Sequence, residues 1–186
     1  MRIIAGSFRG RRLKGPKGTN LRPTSDRLRE TLFNILGAAL GDAVFLDVFA
    51  GTGAVGLEAL SRGARQAVFI ESSPEGNRLI RENLMLCGVA GGYRRIDSDV
   101  FTALRALARE RFRADVTFLD PPYRWQPWED LIGTLFRAGL AGAGTTVVLE
   151  HHRKAAVPAS GPGFRRVRTV EQGEEWLSFF ELGTQP

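Results

Sequence analysis

Residues 44–56 read VFLDVFAGTGAVG, and their pattern indicates the fold class of the whole chain. Its first half, residues 44–49, has the apolar, branched and aromatic character of a buried strand. Its second half is a glycine turn that opens a helix extending to about Arg62. A strand that enters a helix through a glycine turn is the usual first unit of a parallel α/β sheet.

The same alternation of strand and helix continues along the chain. We predict further strands at residues 66–70, 93–96, 115–119 and 145–149, with a helix after each of the first three. Thr24 or Ser25 caps an earlier helix that ends at Gly37, and residues 164–170 and 176–181 predict an antiparallel pair at the sheet edge. The predicted fold is therefore α/β and Rossmann-like, with a doubly wound, mostly parallel, seven-stranded sheet.

Positive charge is concentrated at the beginning of the chain. The net charge is +6, yet residues 1–29 hold nine basic residues and one acid, so the remainder sums to −2. We therefore divide the chain into a basic hairpin with its loop, residues 1–23, and a main domain, residues 24–186. Such an arm favours a polyanion such as nucleic acid, although a solvated basic tail is the alternative. The candidate RNA-binding residues are Arg2, Arg9, Arg11, Arg12, Lys14, Arg22 and Arg27.

Composition excludes several classes of protein. With 43% hydrophobic and 25% charged residues, the chain is an ordinary globular protein. One cysteine, Cys87, excludes an internal disulfide and a cysteine-based zinc site, and we expect no metal. The adjacent His151 and His152 are interpreted as surface or edge residues. We expect a cytoplasmic protein without membrane contact, because no apolar run approaches 18 residues and the first residues lack a signal-peptide core.

Carboxylates follow the predicted strands at the edge where α/β sheets bind ligands. Gly51 to Gly56 fits G-x-G-x-x-G with Glu71 about 20 residues after its start, a pattern that by itself fits a dinucleotide about as well as any other ligand, with a tight turn that binds nothing as the alternative. Asp47 favours another ligand, because its charge repels a pyrophosphate and attracts an ammonium group. S-adenosylmethionine has that ammonium group and no phosphate. Asp99 can accept a hydrogen bond from the adenine amine, Ser98 or Asp99 can be a helix N-cap, and both roles can hold together.

The most specific motif is Asp120-Pro121-Pro122-Tyr123 after the fourth strand, which matches the [D/N/S]-P-P-[Y/F/W] motif of amino methyltransferases. An amine on a conjugated ring is a weak nucleophile. If its N–H groups donate to Asp120 and to the Pro121 carbonyl, its lone pair becomes available, and the prolines fix that carbonyl in place. Tyr123 offers a flat face for stacking an extruded base. The alternative is an ordinary Pro-Pro turn.

Four segments together resemble one family. They are RPTSDRLRE at residues 22–30, DVFAGTG at 47–53, EALSRGA at 58–64 and DPPY at 120–123. They are similar to the bacterial methyltransferases that modify the N2 amine of guanine 966 in 16S ribosomal RNA, and the resemblance covers nearly the whole chain. Residues 22–30 are the discriminating segment, since the glycine turn and Asp-Pro-Pro-Tyr recur in many methyltransferases.

The resemblance implies a class I S-adenosylmethionine-dependent methyltransferase fold and a monomer that acts on 16S rRNA within a small-subunit particle. The cofactor would contact Asp47, Gly51, Gly53, Glu71 and Asp99, and the guanine would contact Asp120, Pro121 and Tyr123.

Several rival functions are also compatible with the sequence. An N6-adenine DNA methyltransferase shares the Asp-Pro-Pro-Tyr motif but usually carries a separate target-recognition region, for which 186 residues leave little room. A protein glutamine N5 methyltransferase also fits the acidic crevice, although its motif usually begins with Asn. A non-catalytic RNA-binding protein is disfavoured by the intact Asp120, and an NAD-dependent oxidoreductase by Asp47.

Overall fold

A computed structural model describes residues 1–16, 25–122, 125 and 127–183. The strands are β1 (Val44–Val48), β2 (Gln66–Glu71), β3 (Tyr93–Asp97), β4 (Val116–Leu119), β5 (Thr146–His152), β6 (Ser160–Gly161), β7 (Phe164–Gln172) and β8 (Glu175–Leu182). The helices are α1 (Asp26–Leu36), α2 (Ala54–Ser61), α3 (Pro74–Leu86), α4 (Val100–Arg109) and α5 (Trp128–Arg137), with a 3-10 turn at Gly37–Leu40. The described helices are all too short or too polar to span a lipid bilayer.

The strands form one sheet in the order β3-β2-β1-β4-β5-β8-β7-β6. Strand β1 pairs in parallel with both β2 and β4. The chain therefore adds β2 and β3 on one side of β1 and β4 and β5 on the other, and the topological switch point lies between β1 and β4. This confirms the predicted doubly wound, mostly parallel sheet. The carboxyl ends of β1 and β4 therefore lie side by side at the position where such sheets bind ligands.

The antiparallel end of the sheet holds one more strand than predicted. Strands β7 and β8 form the expected pair, and β8 also pairs with β5. The predicted count of seven is wrong because Ser160–Gly161 pairs with Phe164 and Arg165 as a short strand, β6. Two residues are too few to show the alternation of apolar and polar residues by which a strand is recognised.

Helices cover both faces of the sheet. On one face α4 and α5 pack against the strands in a cluster that includes Leu104, Leu131 and Val147. On the other face α1 packs through Leu28 and Phe33, and the remaining area is covered by α2, α3 and the first residues of the chain.

The described part of the basic hairpin, residues 1–16, is docked on this second face. Its two arms meet at an isolated antiparallel bridge between Arg2 and Arg12, and the Ile3 N–H donates to the Arg11 carbonyl at 3.0 Å. Ile3 and Leu13 are buried with residues of α2 and α3. The fully buried Glu58 of α2 accepts from the N–H groups of Ile4 at 2.7 Å and Ala5 at 3.0 Å.

We predict that Glu58→Ala lowers the free energy of unfolding by about 3 kcal/mol, because it leaves two backbone N–H groups and the Arg62 guanidinium without their shared acceptor. Urea denaturation measures the change. The matched control is Glu75→Ala, which removes an exposed ion pair with Arg78 and is expected to cost less than about 1 kcal/mol. Equal effects of the two substitutions would contradict this role of Glu58.

Candidate functional site

The glycine turn between β1 and α2 has backbone angles that favour glycine. Gly51 and Gly53 have φ angles of 53° and 74°, and Gly53 is the N-cap of α2. Asp47, at the penultimate position of β1, accepts from the Gly56 N–H at 2.8 Å. Since a Cβ at Gly56 would lie 2.3 Å from the Phe69 ring, the helix can approach the sheet closely only with glycine there.

Glu71 ends β2 and orders the backbone on both sides of it. One carboxylate oxygen accepts from the Gly51 N–H and the other from the Ser73 N–H, each at 2.7 Å. A Cβ at Gly76 would lie 2.7 Å from Cγ of Glu71, so this glycine leaves the space that the carboxylate occupies. Sequence reasoning missed Gly76, whose position inside the predicted helix gave no sign of a neighbour from β2.

Burial destabilises the negative charge of the Asp47 carboxylate. The side chain is almost fully buried, and this burial raises its pKa well above the ordinary value against the opposing effect of the Gly56 hydrogen bond. The carboxylates of Asp120 and Glu71 raise the pKa further. A cationic group placed among these three carboxylates would be strongly attracted.

Asp99 occupies the N-cap of α4. It accepts from the Thr102 N–H at 3.0 Å, and hydrogen bonds from Thr102 lower its pKa. Of the two roles considered for Asp99, the structure displays the N-cap. The Ser98 N–H donates to the Glu71 carbonyl at 3.2 Å, which places the beginning of α4 beside the end of β2.

A cavity of about 740 Å³ joins the predicted residues at this edge of the sheet. Its size is that of a small-molecule site. Asp47, Gly51, Glu71, Asp120 and Pro121 line it. Of the five predicted cofactor-binding residues, all of which are described, Gly53 and Asp99 are not in its lining. Tyr123 and Arg22 lie outside the described residues.

Asp120 continues β4, since its N–H donates to the Val48 carbonyl at 3.3 Å. The Trp125 N–H donates to the Pro122 carbonyl at 2.8 Å. Trp125 then packs edge-on against Phe49 and Trp128 with ring centroids 5.4 and 5.6 Å apart. Of these two tryptophans, Trp128 lines the cavity, and Trp125 packs against the core cluster that α4 and α5 cover.

His151 is not a surface residue, so that prediction is wrong. Its side chain is 5% exposed and lines the cavity. Its Nε2 lies 2.8 Å from Oγ of Ser178, its Nδ1 lies 3.0 Å from the His152 carbonyl, and burial lowers its pKa. The physical reason is the pairing of β8 with β5, which covers the carboxyl end of β5. The sequence alone predicts a strand that ends at residue 149 and gives no sign of this cover.

The described basic candidates are not among the residues that line the cavity. Arg11 donates to the Leu86 carbonyl at the end of α3 at 3.2 Å, and Lys14 forms an ion pair with Glu82 at 3.1 Å. The described basic candidates that are exposed are Arg2, Arg9, Arg11, Arg12, Lys14 and Arg27. No set of His, Cys, Asp or Glu side chains suited to a metal ion occurs in the described part of the chain.

Comparisons with known proteins agree on one family. The family model described as conserved hypothetical protein 95 matches residues 1–181. Ribosomal RNA small subunit methyltransferase D of Escherichia coli K12 is 39% identical over 158 residues, which cover 85% of this chain and 78% of that protein. The protein of the same name from Haemophilus influenzae is 36% identical over 73% of this chain and 70% of its own. A solved structure of a hypothetical protein from Thermus thermophilus has a TM-score of 0.84 and 36% identity, covering 98% of this chain and 99% of that one.

The raised pKa of Asp47 predicts a pH dependence of stability. Between about pH 4 and that raised pKa, the folded protein holds a proton at Asp47 that the unfolded chain has released, so the free energy of unfolding falls as the pH rises. Asp47→Asn removes this effect and makes the slope less negative by up to about 1.4 kcal/mol per pH unit. Urea denaturation of the ligand-free protein between pH 5 and pH 8 measures it.

Asp99→Asn is the control, because the pKa of Asp99 is lowered and its contribution is lost only when the pH falls below the ordinary range for Asp. Its slope between pH 5 and pH 8 should equal that of the wild type. An unchanged slope in Asp47→Asn would show that Asp47 is ionised throughout this range.

Proposed function

This chain belongs to the conserved hypothetical protein 95 family, together with its relatives named ribosomal RNA small subunit methyltransferase D, and from that premise we propose that it methylates the N2 amine of a guanine in 16S rRNA, at position 966. Its fold is the Rossmann-like fold of class I S-adenosylmethionine-dependent methyltransferases. The observation that carries the proposal is the placement of Asp120 and Pro121 in the same cavity as the glycine turn and Glu71.

S-adenosylmethionine fits the chemistry of the part of the cavity that Asp47, Gly51 and Glu71 line. The charges of Asp47 and Glu71 suit its ammonium and ribose hydroxyl groups, and the glycines admit it close to the backbone. In this proposal Asp47, Gly51, Gly53, Glu71 and Asp99 hold it. When bound, it supplies an electrophilic methyl group.

The part of the cavity that Asp120 and Pro121 line makes the target amine more nucleophilic. The Asp120 carboxylate and the Pro121 carbonyl accept its two N–H groups, which withdraws the nitrogen lone pair from the ring and directs it towards the methyl donor. The fixed φ angles of Pro121 and Pro122 hold that carbonyl in position before the base arrives. We assign to Tyr123 the role of stacking on the base. Asp120 need not be a strong base, because the methylated amine loses its proton readily.

RNA binding is assigned to basic residues of the hairpin and the segment that follows. The proposed set is Arg2, Arg9, Arg11, Arg12, Lys14, Arg22 and Arg27. Guanidinium groups suit phosphate oxygens through paired hydrogen bonds. We propose that the substrate is the rRNA of a small-subunit particle and that the protein acts as a monomer in the cytoplasm.

The test is transfer of a labelled methyl group from S-adenosylmethionine to small-subunit rRNA, followed by nucleoside analysis and mapping of the modified position. N2-methylguanosine at one position supports the proposal. Label in N6-methyladenine of DNA, or in a glutamine side chain of protein, would replace it with one of the rival amino methyltransferase functions.

We expect Asp120→Ala to bind cofactor as the wild type does and to transfer methyl groups roughly a hundred- to a thousandfold more slowly, because a preorganised charged acceptor is lost. Single-turnover kinetics with saturating rRNA measure the rate, and calorimetry with S-adenosylhomocysteine confirms the intact cofactor site. A rate within a few fold of the wild type would reduce the Pro-Pro motif to a turn.

The triple variant R9Q/R11Q/R12Q should bind rRNA more weakly and with a shallower salt dependence. The slope of log affinity against log salt should lose about 0.7 for each phosphate contact removed, or roughly two units in all. Filter binding over a range of salt concentrations measures the slope. The matched control is R105Q/R109Q/R113Q, which removes the same charge from α4 and its following loop on the opposite face of the sheet. Equal losses in both variants would assign the effect to net charge rather than to the hairpin.

A further inference from the structure

Glu150 is a buried acid that the proposed function has not used. It lies in β5 between Leu149 and His151, is 7% exposed and lines the cavity. A carboxylate is rarely buried this far unless it serves a partner or a ligand. Its neighbours in the sheet show which part of the cavity it serves.

The strand register places Glu150 beside Asp120. Strands β4 and β5 pair in parallel with Phe118 opposite Val148 and Leu119 opposite Leu149, so the next row of the sheet holds Asp120 and Glu150. Neighbouring strands are about 4.8 Å apart, which brings the two carboxyl groups to adjacent positions at the end of the sheet.

The two acids also share a face of the sheet. Phe118 and Val148 pack in the cluster that α1 covers, and Asp120 and Glu150 follow them by two residues. Because side chains alternate along a strand, both acids belong to that same side, as does Asp47, which follows the cluster residue Phe45 by two. Asp120 and Glu150 also line the same cavity as Gly51 and Glu71.

We propose that Glu150 is the residue that makes the site specific for guanine, by accepting the N1–H of the base while Asp120 accepts from the N2 amine. This inference rests on the proposed function. An ionised carboxylate only accepts hydrogen bonds, and guanine presents N1–H and N2–H donors side by side. Two adjacent acceptors therefore match this edge of the base. The donors also relieve the repulsion between the two carboxylates.

The same arrangement excludes adenine. Adenine has an amine that can donate to Asp120, but its N1 is an acceptor and would face the Glu150 carboxylate lone pair to lone pair. A buried acceptor left without its donor makes a polar site strongly selective against the wrong ligand. Asp120 thus identifies an amine, and Glu150 identifies the guanine that carries it.

The experiment compares guanine with 2-aminopurine, which keeps the N2 amine and lacks the N1 hydrogen. Small-subunit rRNA is assembled by ligation with either base at the position that the wild type methylates. For the wild type we expect kcat/KM to fall roughly ten- to a hundredfold on 2-aminopurine, as for loss of a hydrogen bond to a charged group. Glu150→Gln keeps only a neutral acceptor for the guanine N1–H and gains a donor for N1 of 2-aminopurine, so its ratio of kcat/KM on guanine to kcat/KM on 2-aminopurine should fall roughly tenfold or more below that of the wild type.

The comparison is a thermodynamic cycle, so the O6 atom that 2-aminopurine also lacks affects both enzymes and cancels. Glu171→Gln, an exposed position on β7, is the matched control and should keep the wild-type ratio of guanine to 2-aminopurine. Calorimetry with S-adenosylhomocysteine verifies that each variant is folded. If Glu150→Gln fails this check, Glu150→Asp replaces it, with the charge retained, and should lower kcat/KM on guanine more than on 2-aminopurine.

Two results separate failure of this inference from failure of the proposed function. A Glu150→Gln ratio within threefold of the wild type, or an Asp variant that loses equally on both bases, overturns the role of Glu150 and leaves the guanine methyltransferase intact. A wild-type protein that forms no N2-methylguanosine overturns both.

Discussion

The carboxylates of Asp47 and Glu71 hold the backbone between β1 and α2 in place, through hydrogen bonds from Gly56 and Gly51. Both acids stand at the ends of parallel strands, where a ligand would have to bind. The backbone N–H groups that satisfy them carry no full charge, so the site keeps an excess of negative charge that burial makes costly. The glycine turn and the electrostatic preference of the cavity therefore have the same origin.

The buried carboxylate of Glu58 holds the backbone of the basic hairpin in the same way. It receives two backbone N–H groups of the hairpin and the guanidinium of Arg62. The fully buried Arg29 of α1 reinforces this docking by donating to the Arg2 carbonyl at 2.7 Å and to Asp26 at 2.8 Å. The exposed arginines are thus presented by a segment fixed to the body of the protein, whose own apolar residues Ile3 and Leu13 belong to the core.

Local pattern predicted the elements well and their neighbours poorly. The strand at Val44–Val48, the glycine turn and the acids at the strand ends were readable because each depends on residues close in sequence. The burial of His151, by contrast, depends on pairing with β8 across more than 20 residues, and the two-residue strand β6 exists only through its partner β7. Glu150 gave no signal beside its apolar neighbours, since its proximity to Asp120 follows from the register of β5 on β4.

Charge separates the tasks of the two regions. A cavity lined by Asp47, Glu71, Asp120 and Glu150 repels phosphate and favours ligand groups that donate hydrogen bonds. In the proposed function the sugar-phosphate backbone of the RNA must therefore stay outside, in contact with the hairpin, while a single base enters. A stacked or paired base cannot present its amine to the end of a sheet in this way, so the target guanine has to leave its stack before the reaction. The cost of extrusion is offset only if the base finds its donors satisfied inside, which is what acidic side chains in adjacent rows of the sheet provide.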